Sequence, residues 1–140
     1  MARILCATRG GEASYRAQDG AIRMAGGPGN ELLFLYVVNI DFLDKTARAV
    51  RPDIVEAEME KLGGFLLEMA RERAAKQGVS AGVILRHGVL LEVLAAAARE
   101  YQVDTIVLGK PAEGGLYSLE KLEAFAAEIE AKTGTIVVIL

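Results

Sequence analysis

The stretch "VILRHGVLLEVLAAAAREYQVDTIVLGKPAEGGL", Val83 to Leu116, decides the fold. It opens on an aliphatic run, passes through Leu90, Leu94, Ala97 and Tyr101, and closes on a second aliphatic run ending in glycine and lysine. Steps of three and four residues place apolar side chains on one helical face. A continuous aliphatic run bounded by glycine suits a strand covered on both faces. Strand, helix and strand in this order make a right-handed crossover between parallel strands.

The same pattern extends in both directions. Aliphatic segments recur as "RILCAT" (3–8), "LLFLYVV" (32–38), "AGVILR" (81–86), "DTIVLG" (104–109) and "TIVVIL" (135–140). Between them the spacing predicts a helix over about 12–25 with Ala13, Ala17, Ala21 and Met24 inward. A second carries Val55, Met59, Leu62, Leu66 and Met69, and the last carries Leu119, Leu122, Ala126 and Ile129. Strict alternation without a repeat or linker reads as one α/β domain over 1–140, an open parallel sheet with helices on both faces. Ligands of such sheets bind beyond the carboxyl ends of the strands, where successive crossovers diverge. The glycine cluster "AGGPGNEL" (25–32) leads from helix into strand, at the opposite edge. It reads as a helix stop, with Gly26 or Gly27 as left-handed cap and Pro28 barring continuation.

Composition narrows the function. Hydrophobic residues make up 52% and charged residues 25%, the balance of a folding globular chain. The net charge is −3 with basic and acidic residues interspersed, so there is no electrostatic footprint for nucleic acid. Apolar runs fall far short of the ~20 residues that cross a bilayer, and the N-terminus lacks the apolar core of a signal peptide. Cys6 is the sole cysteine, which excludes an internal disulfide and fits a reducing, cytoplasmic setting. In the middle of the first strand it reads as a small buried hydrophobe. With one histidine, His87, and one distant cysteine, no metal site is expected, and His87 is assigned a structural or partly exposed role. The acidic and basic residues of 56–61 read as a solvated helix face.

The segment "VLGKPAEGGLYSLEK" (107–121) has the look of a phosphate loop. The P-loop pattern requires a glycine five residues before Gly109 and a hydroxyl after Lys110, but Asp104 and Pro111 stand there. That motif is absent.

The order "RILCATRGGEAS", "LLFLYVVN", the Val83–Leu116 block and the final "TIVVIL" resembles the universal stress protein family over essentially the whole chain. The resemblance implies a Rossmann-like, adenine nucleotide alpha hydrolase-like fold, a five-stranded parallel sheet of order 3-2-1-4-5 with four helices. It also implies a homodimer through the last strand. Many members bind ATP through G-x2-G-x9-G-[ST] after the fourth strand. Laid on this chain, the motif starts at Gly109, but its second glycine falls on Ala112, its third on Leu122 and its hydroxyl on Glu123. The aspartate that follows the first strand in the family falls on Arg9. Glycines let backbone amides approach phosphate, so Leu122 obstructs, and Glu123 repels a triphosphate.

Two readings of the cations follow. Arg9 and Lys110 hold an anion other than ATP, or they pair internally with Glu113, Glu120 or Glu123. The first functional reading is a non-enzymatic, homodimeric, stress-associated regulatory module with a degraded ATP site, no cofactor and an unidentified protein partner. The alternative keeps ATP or another adenine nucleotide, or another anion, at Thr8, Arg9, Val38, Leu108, Gly109, Lys110 and the 110–117 loop, with Val38 and Leu108 sandwiching the base. An enzyme on a related nucleotide fold is disfavoured: no G-x-S-x-G elbow or adenylating signature is present. The last strand is uncharged and proline-free, so pairing of Ile136, Val137, Val138, Ile139 and Leu140 with a twofold mate would satisfy its open edge.

Overall fold

Strands and helices alternate along the chain in the computed structural model, which describes residues 2–9, 12–39, 51–111 and 118–140. They run β1 (Arg3–Ala7), α1 (Glu12–Met24), β2 (Glu31–Val38), α2 (Pro52–Lys76), β3 (Ala81–His87), α3 (Leu90–Glu100), β4 (Thr105–Leu108), α4 (Leu119–Thr133) and β5 (Ile136–Ile139). The strands form one parallel sheet of order β3-β2-β1-β4-β5, as expected. β1 lies at its centre, with Cys6 in register with Phe34 on one side and Val107 on the other.

Alternation along each strand divides the core into two layers. Ile4, Cys6, Phe34, Tyr36 and Val38 pack with α1 and α2. Leu5, Leu35, Ile84, Ile106 and Leu108 pack with α3 and α4. The chain thus adds β2 and β3 under one helical layer and returns to the other side of β1 under the second layer. The crossovers diverge between β1 and β4, whose carboxyl ends flank the switch point.

Several inward faces differ from the periodic reading. In α1, Ile22 is buried while Met24 is exposed, with Ser14, Ala17, Gln18 and Ala21 completing the inner face. In α4, Leu122, Phe125 and Ile129 are buried, whereas Leu119 is exposed and Ala126 only half-buried. The inner face of α2 is rotated: Gly63, Leu67, Ala70 and Ala74 are buried, and Leu62 and Met69 are exposed. The cause is close approach, because a Cβ on Gly63 would run into the ring of Tyr36 on β2. Small residues bring α2 onto the sheet, and the larger apolar side chains flank that contact or face outward. In α3 the stripe holds through Leu94 and Ala97, but Tyr101 lies one residue past the helix.

The helix stop after α1 is where the sequence places it, but the left-handed residue is Gly29, with φ of 82°, rather than Gly26 or Gly27. α4 is capped at both ends. The Ser118 hydroxyl accepts from the Lys121 N–H at 3.2 Å, and left-handed Gly134 donates its N–H to the Glu130 carbonyl.

Candidate functional site

A cleft of about 150 Å³ opens at the carboxyl ends of β1 and β4. Its walls come from the strand ends at Ala7, Thr8, Arg9, Leu108 and Gly109, with Ser14 from α1, Leu90 from α3 and Leu122 from α4. β2 contributes Leu35 and Val37, and Asn39 follows just beyond it.

The loop leaving β1 is held by its own backbone. The Thr8 N–H donates to the Leu35 carbonyl at 2.9 Å, and the Arg9 N–H donates to Ser14 Oγ at 3.1 Å. Gln18 Nε2 donates to the Thr8 hydroxyl at 2.5 Å, and all three polar side chains, Thr8, Ser14 and Gln18, are buried. These bonds satisfy the buried polar groups and leave the Arg9 side chain exposed at the rim.

Gly109 is required by close approach. A Cβ there would lie 2.9 Å from the Ala13 carbonyl oxygen, and backbone cannot yield as a side chain can. The glycine at the start of the family motif therefore has a packing reason independent of any phosphate. Lys110 continues the β4 ladder by donating its N–H to the Leu140 carbonyl at 2.9 Å, and its exposed side chain does not line the cleft.

Thr8, Arg9, Leu108 and Gly109 are thus brought together as expected, but Val38 is not. It packs in the α1/α2 layer, and its neighbour Val37 lines the cleft because successive strand residues face opposite sides. A sandwich of Val38 and Leu108 is therefore excluded, since the two lie in different layers. Counting alternate residues onward from Leu35 would have found Val37. Ser14 carried no local signal, because its role depends on how the start of α1 meets the end of β1.

Leu122 is buried, packs in the α3/α4 layer and closes part of the cleft wall. Its neighbour Glu123 is exposed just past the first turn of α4. Among the described residues, neither Glu120 nor Glu123 forms an ion pair with Arg9 or Lys110, so the internal bridge expected with them is not made. Glu113 and the 112–117 part of the loop lie outside the described residues.

Away from the cleft, Cys6 is fully buried, and burial pushes its thiol up to about 12, which excludes thiolate chemistry near neutral pH. His87 stands at the end of β3 on the sheet edge. Its Nε2 lies 2.7 Å from Glu60 Oε1 and 3.4 Å from Glu56 Oε1.

A doubly wound parallel sheet with a cleft at its switch point defines the class, an α/β domain of Rossmann-like fold. Comparison places the chain more narrowly. Residues 1–138 match the Universal stress protein family. The chain is 31% identical to universal stress protein YxiE of Bacillus subtilis over 121 residues, 81% of this chain and 82% of that one. This chain belongs to the universal stress protein family. A solved member from Burkholderia pseudomallei superposes with TM-score 0.76 at 23% identity, covering 99% of this chain and 95% of the other. A universal stress protein solved in complex with cAMP gives TM-score 0.69 at 22% identity, covering 99% of this chain and 96% of the other. No helix among the described residues is long and apolar enough to cross a membrane.

Proposed function

We propose that the chain is a non-catalytic, homodimeric regulatory module of the stress-response type, acting in the cytoplasm on a protein partner, with its ATP site closed. The observation that carries this reading is Leu122, buried in the core and built into the cleft wall where the family motif has a glycine. The cleft, at about 150 Å³, falls below the ~300–1,000 Å³ of ordinary small-molecule sites. Glu123 beside it adds negative charge where a triphosphate would lie. The non-catalytic reading is supported by the cleft lining, which among the described residues carries neither a carboxylate nor an imidazole to move a proton.

A second reading is favoured by Arg9, an exposed cation at the rim without an ion pair among the described residues, and by the neighbour solved with cAMP. In this reading a compact adenine nucleotide or another anion occupies the cleft without a triphosphate.

Native mass spectrometry of the purified protein, with thermal shifts in ATP and magnesium, AMP, cAMP and inorganic phosphate, separates the two. A ligand at a hundred times its Kd adds ~2.7 kcal/mol of stability, a shift of several degrees. The first reading expects no co-purified nucleotide and no shift. A shift with AMP or cAMP that Arg9→Gln abolishes establishes the second, and a large shift with ATP overturns the first.

A further inference from the structure

We propose that Glu56, Glu60 and His87 form a zinc site joining α2 to the end of β3. The three side chains offer two carboxylate oxygens and one imidazole nitrogen, all within 4.8 Å of one another. Zinc bonds to such donors at ~2.0–2.2 Å in tetrahedral geometry, which puts neighbouring ligand atoms ~3.3 Å apart. The observed separations from His87 Nε2, 2.7 Å to Glu60 and 3.4 Å to Glu56, bracket that edge. Binding would replace the Nε2–H that donates to Glu60 and widen that contact by about half an ångström, within reach of a half-exposed side chain. The fourth position is left for water, the arrangement of three protein ligands and one exchangeable site.

Electrostatics favours a cation here. Glu56 and Glu60 are one helical turn apart, and like charges at this spacing oppose each other. Among the described residues, no lysine or arginine forms an ion pair with either carboxylate; His87 is the partner of both. The acidic helix face contrasts with Glu58, Glu68 and Glu128, each paired with a lysine or arginine on its own helix.

The site also has a structural consequence. The buried residues of α2, Gly63, Leu67, Ala70 and Ala74, all lie beyond its first eleven positions. The half that carries Glu56 and Glu60 has no fully buried residue, so a metal bridge to the last residue of β3 would add to its contact with the sheet.

The test uses untagged protein, so that His87 is the only histidine present. Calorimetry with zinc chloride is expected to give one ion per chain, with affinity lowered at least tenfold by His87→Gln and by Glu60→Gln. Hydrogen exchange is expected to show zinc-dependent protection confined to the first half of α2, lost in both variants. Circular dichroism of the variants establishes that they fold. Magnesium at the same concentration is expected to have no effect, since it favours octahedral oxygen sites. Absence of stoichiometric zinc binding in the wild type, or affinity unchanged in both folded variants, overturns the proposal.

Discussion

Asp19 and Arg73 lie 54 residues apart, yet Arg73 Nε and Nη2 donate to the two Asp19 oxygens at 2.7 and 2.9 Å. The guanidinium also sits 5.1 Å from the centroid of the Tyr15 ring, so it ties α2 to α1 by a fork and a ring face. The Arg73 hydrogen bond and charge hold the Asp19 carboxyl below its ordinary range, and Asp19 in turn raises Arg73. A carboxyl depressed in the folded state stabilises above its unfolded pKa, and the contribution is lost as pH falls through the folded value. Both side chains are more than a third exposed, so screening limits the gain to ~0–1 kcal/mol. Asp19→Asn is therefore expected to lower stability slightly at pH 7, and the deficit against wild type should shrink toward zero near pH 2. Urea unfolding at the two pH values checks this; a deficit that grows on acidification contradicts the assignment. At this scale the sequence was only partly legible. Thr8, Arg9, Leu108 and Gly109 could be placed at the cleft from strand ends alone, but choosing between Val37 and Val38 required the phase of β2, which one residue of slip inverts.

Among the elements, α2 departs furthest from its sequence pattern. Its apolar residues form a regular stripe, Val55, Met59, Leu62, Leu66 and Met69, but the helix buries a face that includes Gly63, Ala70 and Ala74. Hydrophobic periodicity ranks residues by side-chain size, whereas close helix-to-sheet approach selects small ones, so Gly63 facing Tyr36 escaped the count. Leu67→Ala, which truncates a fully packed side chain, is expected to cost ~2–5 kcal/mol. Leu62→Ala, at a half-exposed position, is expected to stay within about 0.5 kcal/mol of wild type. Chemical denaturation of the pair checks the rotation of the face, and comparable losses in both variants would return the helix to its sequence-derived stripe. The same small residues leave Leu62, Phe65 and Met69 toward solvent.

For the whole molecule, β5 is the open edge next to β4, with Ile136 exposed and Val137 to Leu140 half-buried. Without charge or proline it has no protection of its own, and in the proposed homodimer the twofold mate supplies it. Val138→Lys is expected to convert the dimer to a folded monomer in sedimentation at micromolar concentration; a monomeric wild type, or an unchanged dimer in the variant, removes this part of the proposal. Architecture was the most legible level. Local chemistry by itself determined the alternation of strands and helices, the burial of Cys6 and the location of the loops at the carboxyl ends of the strands, because backbone periodicity and glycine stops act within a few residues. Only the tertiary structure decided which face of α2 is inward, that Val37 rather than Val38 meets the cleft, that Leu122 closes its wall, and that Glu56 and Glu60 meet His87. Those outcomes depend on how closely elements distant in sequence approach one another, and packing distance is set by both partners at once.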